Sequence, residues 1–480
     1  MLIDGDIVFG LGATQSIRNP ADGLEIAEIH SADPTQVDRV ARAAARALPA
    51  WRQKSPMERA ELLLSLATII ESRGYELAQI ESLNVGKPLH CVIQDEIPHI
   101  VDCLRFYAGA ARSLSGVAAG EYVAGATSFI RRDPIGVVGL IAPWNYPLMM
   151  AVWKIAPALA LGNTVIFKPS ELTPLSIDAL LEWIANAFPP GVVNVVYGGA
   201  DVGAALTAHP SIAMISLTGS PAAGSQVAST AAKNYKRTHL ELGGKAPAII
   251  FADANLDAVV AGVRAAGFYN AGQDCTAACR ILVEHSIARQ LTEQLATDIA
   301  SLRLGPPSES STEMGPLISA AQRDRVHGYV SRTLTRSEGR LIAGGVPLDG
   351  AGWFYPPTLI TDVDANAEIA REEVFGPVLT VTPFDGEDEA IRFANAADYG
   401  LASSIWTSDI GRAFRLIPNI EAGITWVNTH FTYAAEMPHG GVKRSGHGSD
   451  LSIYGAEAYS QIRHIMISHQ GQVRQGTAHA

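Results

Sequence analysis

Cysteine is nearly missing from this chain: four occur in 480 residues, at Cys91, Cys103, Cys275 and Cys279. So sparse a set excludes a scaffold built on disulfides and points to a reducing compartment, read here as the cytoplasm. Positive charge is short as well. The 36 Lys and Arg against 48 Asp and Glu leave a net charge of −12, which repels phosphate backbones and argues against a nucleic-acid partner. Long apolar runs are absent too. No segment supplies the ~20 apolar residues a membrane helix needs, because Pro143, Pro157 and scattered Gly or charge interrupt the most apolar stretches. The opening Met1-Leu2-Ile3-Asp4-Gly5-Asp6 has neither a basic start nor a sustained apolar core, so it does not read as a secretory signal.

What is present is length and pattern. A chain of 480 residues is too long for one small core and suggests two or three domains. Residues about 34–78 are rich in Ala and Leu at helical spacing, and about 92–115 read as another helix. From Ile135 the texture changes. Ile135–Ala142, Thr164–Phe167, Val192–Tyr197 and Ile212–Leu217 are short apolar runs, and helical stretches near Met149–Leu161, Leu175–Ala187 and Asp201–His209 separate them. This alternation predicts βαβ units, a parallel sheet and an α/β nucleotide-binding domain. A second alternation, from about Ala246 to Val427, predicts a second α/β domain with strands at Ala248–Phe251, Arg280–Val283, Leu379–Phe384 and Ala402–Trp406. Gly120–Asp133 looks like a hairpin arm, and Ala458–Ser468 like a tail strand. Both are suited to pairing with another subunit.

Several windows could carry chemistry. Cys275 follows Gly272-Gln273-Asp274 and precedes Thr276-Ala277-Ala278, which has helical composition. A thiolate at a helix N-terminus is stabilised by unpaired N–H groups, which can also receive an oxyanion. The window alone serves a buried packing thiol equally well. Cys279 with Cys275 is a weak metal signal without a second pair, and no metal is expected. Glu241, in Leu240-Glu241-Leu242-Gly243-Gly244-Lys245, is an acid in apolar company. Desolvation would make it a base near neutral pH, although an ion pair with Lys245 accounts for the window as well. Asn145, in Pro143-Trp144-Asn145-Tyr146-Pro147, follows the first strand of the sheet. It offers an uncharged amide to an oxyanion, or is a plain turn residue.

Lys168-Pro169-Ser170-Glu171 ends the next strand. Lys168 and Glu171 could reach ribose hydroxyls, and a carboxylate there favours NAD over NADP; a solvated loop is the alternative. Thr218-Gly219-Ser220-Pro221 is a strand end, a glycine turn and a helix start, with Gly224 following. Such a turn presents N–H groups to a pyrophosphate, but it lacks the usual glycine fingerprint of dinucleotide sites. Glu373, two residues before Phe375 in Glu372-Glu373-Val374-Phe375-Gly376-Pro377, could hold a ribose beside a ring that packs on nicotinamide, or could belong to a turn.

Each window is modest, but their order is not. Trp144-Asn145, Lys168-Pro169-Ser170-Glu171, Thr218-Gly219-Ser220, Leu240 to Lys245, Gly272-Gln273-Asp274-Cys275 and Glu373 to Pro377 together resemble the aldehyde dehydrogenase superfamily, over about Asn19 to Ile465. The resemblance implies an α/β fold with a Rossmann-type cofactor domain (1–115 and 135–243), an α/β catalytic domain (244–456), and a β oligomerisation arm and tail (116–134 and 457–480). It implies a homotetramer built as a dimer of dimers. Cys275 would attack the aldehyde, with Asn145 and the Cys275 N–H holding the oxyanion and Glu241 activating the water that hydrolyses the thioester. NAD would lie against Trp144, Lys168, Ser170, Glu171, Thr218, Gly219, Ser220, Gly224, Leu242, Glu373 and Phe375. Two departures stand out. Pro221-Ala222 replaces the Thr-Glu common after Gly-Ser, and Asp450 stands where many members carry Glu.

Gln273 to Arg280, Asn428-Thr429-His430-Phe431 and Glu436 to Gly441 are similar to the γ-aminobutyraldehyde (1-pyrroline) dehydrogenase branch, near the betaine aldehyde dehydrogenases. That similarity implies oxidation of an amine-bearing aldehyde, foremost 4-aminobutanal to 4-aminobutanoate in putrescine breakdown. Tyr146 and Trp153 would offer aromatic faces to an ammonium. Glu96, Asp102, Asp274 and Asp450 would supply acids at the tunnel mouth, and Thr276 and His439 further substrate contacts. The rivals are betaine aldehyde, another aliphatic or aromatic aldehyde or a semialdehyde, and, from a different class, an inactive structural or binding relative.

Overall fold

A computed structural model describes residues 1–469. Its first sheet has eight strands, in the order Asp6–Ile7, Leu2–Ile3, Val193–Val195, Thr164–Lys168, Val137–Ile141, Met214–Thr218, Arg237–Glu241 and Gly446–His447. The five strands between Val193 and Glu241 in that order are mutually parallel. Val137–Ile141, Thr164–Lys168 and Val193–Val195 are buried along their whole length, as strands covered on both faces are. From Val137–Ile141 the chain builds outward one way through Thr164–Lys168 and Val193–Val195. It then returns to start Met214–Thr218 on the other side. That reversal opens a crevice beyond the carboxyl ends of two adjacent strands, the place where open α/β sheets bind ligands.

The second sheet has seven strands, ordered Arg340–Ala343, Thr358–Thr361, Val378–Phe384, Arg280–Glu284, Pro247–Ile250, Ala402–Trp406 and Ile424–Val427. All but the first pair are parallel. Each sheet has its own apolar core, and Phe431 packs against both. The expected arm is a hairpin of Gly120–Val123 and Ala126–Pro134. The tail strand, Ser460–Ser468, pairs with the arm of its own chain, from Ser460 opposite Pro134 to Ser468 opposite Ala126. Positions 470–480 of the expected tail lie outside the described residues.

Four expectations are corrected. The helix expected over 92–115 opens with a wide π turn, Val92–Glu96, and its α-helical part is Ile97–Ala110. Leu175–Ala187 is broken into Leu175–Asp178 and Leu181–Ala187. The catalytic segment does not keep to its sheet as far as 456. Gly446–His447 pairs with Leu240 and Glu241, and Leu451, Ala456 and Tyr459 are buried in the first core. Finally, no helix follows Cys275. The Asp274 carboxylate accepts from both the backbone N–H and the hydroxyl of Thr276, each at 2.6 Å. That side-chain turn competes with helical hydrogen bonding, and the chain then extends into Arg280–Glu284. No helix among the described residues is long and apolar enough to cross a membrane.

Candidate active site

A cavity of about 790 Å³ opens at the crevice and reaches between the two cores. Its wall includes Trp144, Asn145, Tyr146, Trp153, Thr218, Gly219, Ser220, Glu241, Leu242, Asp274, Cys275, Glu373, Phe375, His439 and Asp450. Residues from six distant windows thus meet in one place. A more open groove of about 900 Å³, beside helices Leu256–Phe268 and Ala288–Ala300, contains none of the expected site residues.

Glycines allow the windows to meet. A Cβ on Gly244 would stand 2.0 Å from the carbonyl oxygen of Cys275, and one on Gly243 would stand 2.3 Å from the Glu373 carboxylate. Gly272, at φ +67°, lies against Gly376, where a Cβ would be 2.3 Å from the carbonyl oxygen. Gly244 therefore admits the backbone of the thiol loop, Gly243 the Glu373 carboxylate, and Gly272 the backbone of the loop that carries Glu373. Side-chain amides complete the frame. Asn145 donates to the Gln273 carbonyl at 3.0 Å, and Asn270 donates to the Asn145 carbonyl at 3.0 Å. Asn270, Ala271 and Phe375 all hold positive φ, a conformation non-glycine residues rarely adopt and one that clusters at functional sites.

Around Cys275 the field is not the expected one. Burial comes first, followed by the charges of Asp274, Glu373 and Glu241, and together they push the thiol well above its ordinary range. Its own backbone N–H opposes them, and that N–H takes part in no other hydrogen bond among the described residues. The Asn145 amide uses one N–H on Gln273 and retains a second, since an amide carries two donors. A donor pair for an oxyanion is therefore present without a helix.

Glu241 is buried, and burial raises its carboxyl to about 7. Its Oε2 faces His439 Nδ1 at 3.6 Å and its Oε1 faces His239 Nε2 at 3.8 Å. Lys245 does not pair with it: its ammonium is buried with no hydrogen-bond partner among the described residues.

On the cofactor side, Ser220 caps the helix Pro221–Ala232 by accepting from the Ala223 N–H at 3.2 Å. Thr218 lines the cavity, and its hydroxyl is buried without a partner among the described residues. Glu373 accepts from the Gly244 N–H at 2.8 Å, and Phe375 meets Trp144 edge to face at 5.3 Å. Lys168, Ser170, Glu171 and Gly224 are not in the cavity wall. Lys168 is pinned at its strand end, donating to the Pro169 and Gly198 carbonyls, with Glu171 3.8 Å away and partly exposed. Gly224 lets Leu242 pack on the helix.

On the substrate side several expectations change. Tyr146 already hosts an internal cation, with Lys87 Nζ 4.4 Å from its ring centre. Lys87 also pairs with Glu96 at 2.6 Å and Glu81 at 3.6 Å. Asp450 pairs with Lys154 at 3.2 Å and so is no free mouth acid. Asp102 is exposed and absent from the wall, and Thr276 is buried beneath it, holding Asp274. Trp153 forms a wall of rings with His439 (5.1 Å), His99 (5.6 Å) and Tyr433 (6.3 Å). His99, Tyr433 and His239 were not singled out from sequence. His239 could have been, since two residues before Glu241 on a strand puts both on one face.

The aldehyde dehydrogenase family model matches residues 10–465. A betaine aldehyde dehydrogenase of Mesorhizobium japonicum is 40% identical over 95% of this chain and 94% of its own length. The crystal structure of PnpE from Pseudomonas sp. WBC-3 superposes with a TM-score of 0.95 at 39% identity, covering 98% of both chains. Betaine aldehyde dehydrogenase from Staphylococcus aureus, crystallised with NAD+, superposes at 0.95 with 35% identity, over 98% of this chain and 95% of the other. With five of its six motifs gathered in one cavity and residues 10–465 matched, the chain belongs to the aldehyde dehydrogenase family.

Proposed function

We propose that this protein oxidises an aldehyde to the carboxylic acid with NAD, through a covalent adduct on Cys275. The observation that carries the reading is the meeting of Cys275, Asn145 and Glu241 in one cavity wall. The Cys275 sulfur bonds to the aldehyde carbon as its proton departs. The oxygen gains charge between the spare Asn145 N–H and the Cys275 backbone N–H. What a bound nicotinamide would supply is acceptance of the hydride, which leaves a thioester on Cys275. Glu241, whose burial raises its carboxyl to about 7, then takes a proton from water as the water oxygen bonds to the acyl carbon. The carbon–sulfur bond breaks, and acid and thiol are released.

The cofactor fits the residues present. The Gly219 turn is open on its Cβ side except for Leu217, and Thr218, whose buried hydroxyl has no partner among the described residues, is part of the cavity wall. Trp144, Ser220, Leu242, Glu373 and Phe375 share that wall. Lys168, Ser170 and Glu171, at the neighbouring strand end, would hold the adenosine ribose, with Gly224 supporting the turn.

For the aldehyde, the reading is a small one bearing a cationic nitrogen: 4-aminobutanal, with betaine aldehyde as the second reading because of the relatives' names. The wall supports this. Asp95 and Asp274 line the cavity, whereas Glu96 is spent on Lys87, and Arg325, hydrogen-bonded to the Glu373 and Val374 carbonyls, is the one arginine in the wall. For a carboxylate-bearing substrate the wall offers only this arginine, already committed to two backbone carbonyls. The test is a kcat/KM panel following NADH formation. An ammonium held on aromatic faces is expected to give the cationic aldehydes about tenfold or more over succinate semialdehyde. Equal values would remove the charge argument, and no NADH with any aldehyde would remove the oxidation itself.

A further inference from the structure

His239 lies on the strand Arg237–Glu241, two residues before the proposed base, so both side chains leave the same face. Its ring is buried, and it occupies space that a glycine provides. A Cβ on Gly448 would stand 2.0 Å from His239 Cδ2. A histidine buried in a strand calls for a reason, and its hydrogen bonds give one. Nδ1 lies 2.8 Å from the hydroxyl of Ser216, its register partner on the adjacent strand. That hydroxyl receives Lys154 Nζ at 3.1 Å and the Tyr459 hydroxyl at 3.0 Å. A serine oxygen has two lone pairs and one proton. With both lone pairs used, the proton goes to His239 Nδ1. The imidazole must therefore carry its own proton on Nε2.

Nε2 faces Glu241 Oε1 at 3.8 Å. Both atoms are buried and neither has another partner among the described residues. A fixed donor and an acceptor, both buried and facing each other without another partner among the described residues, are arranged to close into a hydrogen bond when the carboxylate moves by less than an ångström or so.

We propose that His239 is a positioning residue for the general base: its Nε2–H, oriented by Ser216, seats the Glu241 carboxylate for attack of water on the thioester. The proposal rests on the aldehyde oxidation argued above. Burial also lowers the His239 pKa to about 4, which keeps the ring a neutral donor across the working range. An N–H given to the carboxylate favours the charged form of Glu241 against its burial. The other groups facing Glu241 are His439 and Asp450 on the loop after Phe431, Lys154 on the buried helix Pro147–Ala160, Cys275 on its turn, and Tyr459. His239 itself also faces Asp450, Lys154, His447 and Tyr459.

The test compares His239→Leu, His239→Gln and Ser216→Ala, each checked for folding by circular dichroism and for NAD binding. In rapid mixing, His239→Leu should keep the burst of NADH and slow turnover after it. The pH midpoint of that slower phase should move up by about one unit, a tenfold change in proton affinity. His239→Gln, which restores an N–H donor, should return the midpoint towards wild type. Ser216→Ala, which frees the tautomer, should give a smaller upward shift. Infrared titration of the Glu241 carboxyl, assigned by its loss in Glu241→Gln, should show the same order of midpoints without any aldehyde. An unshifted Glu241 titration in both His239→Leu and Ser216→Ala would overturn the proposal. So would a burst and turnover that fall by one factor, or a Gln variant no better than Leu. Should His239→Leu fail to fold, Ser216→Ala decides alone. A wild-type enzyme silent with all aldehydes removes the oxidation reading, while the infrared titration still decides whether the N–H serves Glu241.

Discussion

Gly244 and Cys275 meet through backbone alone: a Cβ on Gly244 would lie 2.0 Å from the Cys275 carbonyl oxygen. The partner is main chain held by the Asn145–Gln273–Asn270 frame, so it cannot step aside cheaply. Gly244→Ala is expected to abolish the NADH burst and to cost about 1–3 kcal/mol of stability as an overpacked site. Rapid mixing and a denaturant melt measure both; a wild-type burst would show that the loop yields.

Cys275→Ala should stop aldehyde oxidation and leave NAD binding intact, measured by calorimetry. In the wild type, the thiol sits well above its ordinary range. Inactivation by iodoacetamide should therefore climb about tenfold per pH unit through neutral pH with no plateau below pH ~9. A plateau near pH 7 would mean that the thiolate is stabilised after all.

Glu241→Gln should keep the burst and lose most of the steady-state rate. Because burial raises the carboxyl to about 7, the base form is lost as pH falls through that value, and turnover in the wild type should fall with it. A pH profile flat between 6 and 8, about one unit either side of the raised pKa, would place the rate-limiting proton elsewhere.

Lys87 holds Glu81, Glu96 and the face of Tyr146 together in a buried cluster. Lys87→Met removes the cation and strands two carboxylates. A loss of about 3–5 kcal/mol is expected, read from the midpoint of denaturant unfolding. A smaller loss would mean that the acids take up protons or water.

Glu171 is a partly exposed carboxylate 3.8 Å from Lys168 Nζ. If it meets the ribose, NADP should be much poorer than NAD, and Glu171→Gln should narrow the gap in kcat/KM. An unchanged ratio would move cofactor discrimination to another residue.

Much of this was written in local sequence. Alternating apolar runs announced the two parallel sheets, because strands covered on both faces need no polar side. The windows around Asn145, Glu241, Cys275 and Glu373 marked the candidate site in their order along the chain. The helix expected after Cys275 failed because the composition Thr276-Ala277-Ala278 allows helix, whereas the Asp274 carboxylate captures the Thr276 N–H and hydroxyl first. The mouth acids failed for a different reason. A carboxylate in a sequence shows no partner, and Lys87 and Lys154 come from remote segments to pair with Glu96 and Asp450.

The sequence by itself determined the family and the sheets, and it put forward Cys275, Asn145 and Glu241 as the proposed thiol, amide and base, since each depends on residue type at short spacing. Only the tertiary structure decided the charge around them. It added Glu373 and Glu241 to the neighbouring Asp274 around Cys275, gave the face of Tyr146 to Lys87, and set His239 and His439 on the two oxygens of Glu241. Electrostatic energy depends on distance and burial, and both are fixed by contacts between segments far apart in the chain.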